Sequence, residues 1–354
     1  MKPLKRILDA ARWAPSGDNT QPWRFEIVSD DHVVVRTFDT RDHCVYDLDG
    51  RPSQLSVGAL LETMQIAASG FGLSALFARR SGSPEEHPVF DVTLVADPSI
   101  VASELIPFIE TRRVQRRALQ TRAIRPEEKA RLEGNLPPGY QLRWLEGKSR
   151  WSLAALLFSS AKIRLITREA FEVHSKVIEW NAKFSEDRIP DQAVGLDPLT
   201  TRLMAWAMQD QRRVQFLNNF LAGTIVPRLQ LDFLPAIACG AHIIILARSE
   251  PRGIDDYVAA GAAVQRFWLM ATQLGLQHQP EMTPLIFSRY IRKGINFTQN
   301  DKAVRIATSV SRRLGEIVGP EDLRRAVWMG RIGAGQPAEA RSLRLPIEQL
   351  LLRG

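Results

Sequence analysis

The stretch WAPSGDNTQPWRF, residues 13–25, decides how this chain is read. Upstream of it, PLKRILDAARW places Leu4, Ile7, Leu8 and Ala11 on one face at helical spacing. Pro15 biases Ala14 away from helical backbone, so the helix is expected to stop there. Downstream, Trp23 to Val28 and His32 to Phe38 read as two strands around the turn SDD. Between helix and strand lie Ser16, Asp18, Asn19, Thr20 and Gln21, broken only by Gly17 and bracketed by two prolines and two tryptophans. A short, stiffened loop with that many hydrogen-bonding groups raises the question of what they bind.

The bulk of the sequence narrows the answer. The chain has 354 residues, 45% hydrophobic and 24% charged, enough for a large core and for two lobes. Cys44 and Cys239 make no disulfide framework, so a reducing, cytoplasmic setting is expected. The start MKPLKRILDA lacks the apolar core of a signal peptide. The longest apolar run, from Phe233 to Ala247, falls short of the roughly 18 residues that span a bilayer. It also contains Pro235, Gly240 and His242, so it reads as a buried strand from about Ile237 onward, and no membrane partner is expected. The net charge of +8 raises nucleic acid as a partner. No nucleic-acid module is present and the aromatics are not interleaved with the basic residues, so none is expected.

Two segments match each other. GALLETMQIAASGFGL (58–73) and GAAVQRFWLMATQLGL (261–276) share Gly58/Gly261, Ala59/Ala262, Ala68/Ala271, Gly72/Gly275 and Leu73/Leu276. Each opens Gly-Ala, runs as an apolar helix and ends in a glycine suited to a helix C-terminus. We read this as an internal duplication, with helices at 57–73 and 257–275 packed against each other. Further helices are expected over 152–183 and 202–220, a strand over 88–97, and a loop over 186–200.

Arginines 112, 113, 116, 117, 122 and 125 fall in TRRVQRRALQTRAIR with no acid among them. The guanidinium fork suits phosphate, although a solvated basic face would have the same composition. Arg341 and Arg344 form a second basic group in ARSLRLP. G-x-S-x-G, H-E-x-x-H, P-loop and paired-cysteine patterns are absent. His174 and Glu179 are five residues apart, poor spacing for a metal, and no metal site is expected.

AARWAPSGDNTQPWRF resembles the helix–loop–strand signature of the flavin-dependent nitroreductase superfamily, written around A-P-S-x-x-N-x-Q-P-W. TRRVQRRAL is similar to that family's R-R-S-x-R, and SLRLPIEQLL to its C-terminal basic segment; residues 135–235 match poorly. The resemblance to its large, two-lobed members implies an α+β fold of two similar lobes, each a mainly antiparallel sheet flanked by helices, forming an intramolecular pseudo-dimer. The loop sits near residue 14 and the arginines near residue 112, so the lobes are expected at 1–105 and 106–354, each with half of one flavin site.

The resemblance also implies an FMN site. Pro15, Ser16, Gly17, Asn19 and Gln21 would meet the cofactor from one lobe. Arg112 and Arg113 would grip its phosphate with Arg341 and Arg344, and Arg116 would lie by the ring. Beside Pro280, the backbone N–H groups of Glu281 and Met282 would face its reactive nitrogen. Val114 stands where the family has serine, so one hydrogen bond is missing. His278 is expected to be structural. The implied activity is electron transfer from NADH or NADPH to a small electron-poor acceptor, a nitro or quinone-like compound, by a ping-pong mechanism, with no obligate catalytic side chain. An FMN-holding protein without turnover is the competing reading. The chain is expected to act as a pseudo-dimeric monomer, with a homodimer of it left open. The segment 186–206 is expected to form a lid, with Met204, Trp206 and Met208 covering the ring.

Overall fold

The apolar stripe at the start forms helix α1 (Pro3–Ala11), with Leu4, Ile7, Leu8 and Ala11 all buried. In the computed structural model, which describes residues 2–220 and 225–352, α1 leads through the polar loop into strands β1 (Trp23–Ile27) and β2 (His32–Thr37). Helix α2 (Arg51–Ser69) follows, then β3 (Leu73–Arg79) and β4 (Val89–Ala96). These four strands form one antiparallel sheet in the order β1-β2-β4-β3.

The rest of the chain repeats this plan around an insertion. Helix α3 (Pro126–Gly134) and strand β5 (Tyr140–Leu145) are followed by helices α4 (Lys148–Ile166), α5 (Arg168–Val177), α6 (Pro198–Ala207) and α7 (Gln211–Phe220). Then come β6 (Ala241–Ala247), α8 (Ile254–Gln273), β7 (Leu276–Pro280), α9 (Thr283–Lys293), α10 (Asp301–Val318) and β8 (Ala326–Ala334). The second sheet is again antiparallel, in the order β5-β6-β8-β7. Strand order, directions and the helix between the second and third strands are thus the same in both sheets. Leu73 and Leu276, paired by the sequence match, open β3 and β7.

The fold is therefore α+β, with two lobes of the same sheet topology joined through their central helices. All strands of the first sheet precede residue 105 and all strands of the second follow it. The ends of the expected units at Met1 and 353–354, and residues 221–224, lie outside the described residues. Each sheet borrows an edge from elsewhere in the chain. Leu351 bridges to Phe25 beside β1, and Val114 bridges in parallel to His278 beside β7.

Helices α2 and α8 cross where Gly58 meets Gly261. A Cβ on Gly58 would lie 1.8 Å from the Val258 carbonyl oxygen, and one on Gly261 would lie 2.1 Å from that of Leu55. Both helices are buried over most of their surface, each by its own sheet and by the other helix, with Glu62 and Arg266 pairing at the edge of the contact. Gln265 Nε2 donates to Thr63 Oγ1 within this contact, while its Oε1 is buried without a partner. One apolar cluster runs from α1 and β1 through both central helices to β6 and β8.

Some sequence expectations are shifted by local chemistry. The helix expected over 152–183 breaks at Thr167, which is extended and whose hydroxyl donates to Ile163 O. The helix expected over 202–220 is two helices. Asp197 caps Leu199 and Thr200 of the first, and Asp210 accepts from Arg212 at the start of the second. The strand expected from Ile237 begins at Ala241, because Leu234–Ile237 is a helical turn with Pro235 in its first turn. The basic segment is extended along β7, which rules out the basic helix face.

Gly58→Ala and Gly261→Ala are each expected to destabilise the protein by about 1–3 kcal/mol, because a methyl group has only backbone to meet. Urea unfolding that shows no change for either variant would contradict a tight crossing.

Candidate functional site

The polar loop folds against itself and against two distant segments. Asp18, Asn19 and Gln21 all take positive φ, at 49°, 64° and 48°. Non-glycine residues rarely do so, and each costs on the order of 1–3 kcal/mol unless its surroundings hold it. Here they do. Ser16 Oγ accepts from Gln21 N at 3.0 Å, and Gln21 Oε1 accepts from Leu345 N at 2.9 Å. Gln21 Nε2 donates to Asn19 O and to Glu186 O. Asn19 Nδ2 donates to Glu186 O and Arg188 O, leaving its Oδ1 buried without a partner.

The loop borders a cavity of ≈310 Å³ between the lobes, within the roughly 300–1,000 Å³ usual for small-molecule sites. Pro15, Ser16, Gly17 and Asn19 line it, as do Arg112, Arg113, Arg116, Pro280, Met282, Arg341 and Arg344. The structure thus gathers eleven of the thirteen expected residues from both halves of the chain around one space. The other two are turned away. Gln21 is fully buried and spends its amide on the bonds above. Glu281 points into the second lobe, and its backbone N–H already donates to Met329 O at 2.9 Å. Of the 280–282 segment, the cavity keeps Pro280 and Met282, at the entry to α9.

Arginines with no acid opposite them form one end of the cavity. Arg112 Nη2 donates to Trp13 O, its guanidinium stacks on Trp268 at 4.5 Å, and its Nε is buried without a partner. Arg344 donates to Ala14 O from Nε and Nη2. Arg341 lies over the Trp13 ring and donates to Glu110 O, with its Nε also unpartnered. The backbone just past α1 therefore aims two guanidinium groups. Burial, with Arg344 and Arg341 nearby, pushes the Arg112 pKa well below the usual arginine range. Burial, with Arg341 and Arg12, pushes Arg344 down to about 9. Such a cluster is short of negative charge and suits a phosphate-sized anion.

Behind Met282, a buried ion network braces the wall. His242 Nδ1 and Glu281 Oε2 are 2.6 Å apart, and Arg331 Nη1 donates to Glu281 Oε1 at 2.9 Å. Arg331 Nη2 in turn donates to Arg116 O, locking the arginine strip to β8. Burial favours neutral His242, but Glu281 and the bonds to Cys239 and Glu281 outweigh it and raise the pKa to about 10. His278 is structural, as expected. Trp328 Nε1 donates to its Nε2, its Nδ1 meets Arg331 O, and burial lowers its pKa to about 3.

The opposite end of the cavity comes from residues the sequence reading did not place there. Asp18, Tyr46, Arg164 and His174 line it. Tyr46 Oη and His174 Nε2 are 3.1 Å apart, and Arg164 Nη2 donates to Asp232 at 2.6 Å. Burial raises the Asp18 pKa against the pull of Arg116. The covering segment also differs from expectation. Ile189 and Ala193 line the cavity, whereas Met204, Trp206 and Met208 do not, and Trp206 faces outward, 42% exposed. Sequence gave one clue: His174 stood out, but was weighed only as a metal ligand. Among the described residues no group of three or more His, Cys, Asp or Glu could hold a metal ion, and no helix is long and apolar enough to cross a membrane.

Comparison with known proteins agrees with the segment at the start of the chain. Residues 2–49 match the model of the Nitroreductase family, which takes in α1, the polar loop, β1, β2 and Tyr46. An uncharacterized protein of Mycobacterium tuberculosis is 23% identical over 295 residues, covering 80% of this chain and 39% of its own length. The chain thus spans about two fifths of the length of that curated relative. The crystal structure of a nitroreductase-like family protein from Bacillus cereus covers 70% of this chain and 94% of its own, with 16% identity and a TM-score of 0.36.

The His242 network makes stability depend on pH. Its folded pKa, about 10, lies above the ordinary value of 6.5. Its stabilising contribution is therefore complete below about pH 6.5 and lost as pH rises toward 10. Melting temperatures measured from pH 6.5 to pH 10 are expected to fall more steeply for the native chain than for His242→Asn. Parallel curves would show that the imidazole is not charged in the fold.

Proposed function

We propose that this nitroreductase-like oxidoreductase binds FMN in the cavity between its lobes, takes electrons from NADH or NADPH, and passes them in a ping-pong cycle to a small electron-poor acceptor. The observation that carries this reading is the uncompensated arginine cluster at one end of the cavity. Two buried guanidinium groups, Arg112 and Arg344, with carbonyls and no carboxylate as partners, are costly unless an anion joins them. The unpartnered Arg112 Nε and Arg341 Nε mark where its oxygens would be received. The resident residues fit FMN in other ways. Asn19 Oδ1 and Gln279 Oε1 are buried acceptors awaiting donors, and Trp268, Trp328, Val264 and Met282 supply apolar wall.

In this reading the division of labour is simple. Arg112, Arg113, Arg341 and Arg344 bind the phosphate, and Ser16, Gly17 and Asn19 orient the cofactor from the first lobe. Arg116, whose pKa is held near 10 by burial against the pull of Asp18, provides a cation near the ring. Bound FMN would supply the hydride chemistry, and the positive charge around it would favour the reduced, anionic form. The 186–193 segment, tied to Asn19 by two carbonyls, would keep bulk water away.

That same cover supports a second reading, in which the chain holds FMN without turnover. NAD(P)H oxidation with menadione present separates the two, since a storage protein would show none. We also place the protein in the cytoplasm, acting as a monomer divided at 105/106 on a small-molecule substrate, with neither nucleic acid nor membrane as partner.

The purified protein is expected to be yellow, with one FMN per chain. Arg112→Ala combined with Arg113→Ala should remove most of it, because the phosphate loses charge-assisted hydrogen bonds worth about 1.5–3 kcal/mol each. A double variant that purifies fully yellow would move the anchor elsewhere. A ratio near two would mean that a second site had been overlooked.

A further inference from the structure

We propose that Tyr46, positioned by His174, is the hydrogen-bond donor that receives an oxygen of the acceptor, so that the end of the cavity opposite the arginines is the substrate subsite for carbonyl-bearing, quinone-type compounds. This rests on the reading that the cavity belongs to an oxidoreductase, and it assigns the part of the cavity that the phosphate end leaves over.

Three observations carry it. First, Tyr46 and His174 line the same cavity as the arginine cluster, and their polar atoms are 3.1 Å apart with stacked rings. The pair comes from two distant segments. Tyr46 lies between β2 and α2, and His174 lies on α5, in the insertion that separates β5 from β6. Second, both groups are neutral at ordinary pH. Burial and the nearby Arg164 lower the His174 pKa to about 3, and burial raises that of Tyr46 beyond its usual range. Either group can donate across this contact: with the imidazole proton on Nε2 the tyrosine oxygen accepts and its O–H is free for the cavity, and a carbonyl ligand in reach selects that tautomer. Third, the cation nearby is already matched. Arg164 is paired with Asp232, which matches its charge, and its buried, unpartnered Nε is a further donor for a neutral oxygen. With Arg164 paired and burial favouring the protonated form of Asp18, this end offers donors that suit a carbonyl or quinone oxygen, whereas the arginine cluster suits phosphate.

Packing keeps the donor in place. The Tyr46 ring meets Phe287 of α9 edge-on at 6.1 Å, and α9 is the helix that begins at Met282 on the cavity wall. Tyr46 is therefore a binding residue and His174 a positioning residue. A selective site built this way depends on the hydrogen bond, since removing it leaves a polar oxygen of the ligand without a partner in a closed space.

Tyr46→Phe keeps the ring and removes only the hydroxyl, and His174→Leu and His174→Gln test the positioning. Two measurements are needed. One is the dissociation constant of acetophenone, used as a non-reacting carbonyl ligand and followed by quenching of tryptophan fluorescence, which does not require flavin. The other is the steady-state kinetics of menadione and of ferricyanide, which accepts electrons without a hydrogen bond. Tyr46→Phe is expected to weaken acetophenone and raise the KM for menadione about tenfold, and to lower kcat/KM more for menadione than for ferricyanide. His174→Leu should give a smaller loss that His174→Gln restores, because the amide N–H can replace that of the imidazole. Unchanged acetophenone binding in Tyr46→Phe, or equal losses with both electron acceptors, overturns the proposal. A colourless native protein that still binds acetophenone through Tyr46 would overturn the FMN reading and leave the subsite standing.

Discussion

The contact between α2 and α8 is the constraint on which the rest depends. Two buried helices approach until the Cα of Gly58 and Gly261 nearly touch, and this closeness sets the distance between the two sheets. Leu55, Ser56 and Ala59 of α2 and Val264 and Trp268 of α8 then form the cavity wall. A single methyl group at the crossing would push these faces apart. The cavity is therefore a consequence of how tightly the lobes pack, and the site cannot be separated from the core.

Around that crossing the chain trades stability for charge. Arg112 and Arg344 are 5% and 8% exposed and have carbonyl oxygens, not carboxylates, as their partners. Backbone dipoles at the end of α1 orient the guanidinium groups but do not neutralise them. The second lobe shows the contrasting solution. Glu281 receives both His242 and Arg331, so its charges are matched and serve as bracing. Matched buried charges fix geometry, whereas unmatched ones invite a ligand.

Much of this was legible in the sequence because its signals were local. The stripe of α1, the stop at Pro15, the paired Gly-Ala helices and the clustered arginines each depend on neighbours a few residues away. The family signature joined the two ends of the chain. What stayed hidden depends on distance. Gln21 looked like a ligand because its type and position fit, but its amide is consumed by Glu186 and Leu345, over 160 residues away. Glu281 looked like part of the cavity rim, but its carboxylate satisfies a buried histidine on β6. Tyr46 and His174 had no motif to announce them, since neither means anything until α5 folds across the first lobe. Asp197 before Pro198 and Asp210 before Gln211 did announce helix starts, and reading them as caps would have split the helix expected over 202–220.

The strained loop explains why the insertion matters to the site. Three left-handed departures within four residues, at Asp18, Asn19 and Gln21, would not persist in an isolated turn. They are held by carbonyls of Glu186 and Arg188 from the insertion and by Leu345 N from the tail. The corresponding connection in the second lobe, residues 135–139 between α3 and β5, is much shorter than residues 12–22 and has no comparable set of polar side chains. The two lobes thus share a scaffold, and only the first has a loop long enough to be strained. The insertion from the second lobe holds that strain and brings Arg164 and His174 to the same cavity. The segment that braces the polar loop and the segment that shapes the opposite end are one piece of chain, so changes in the insertion would alter both ends of the cavity together.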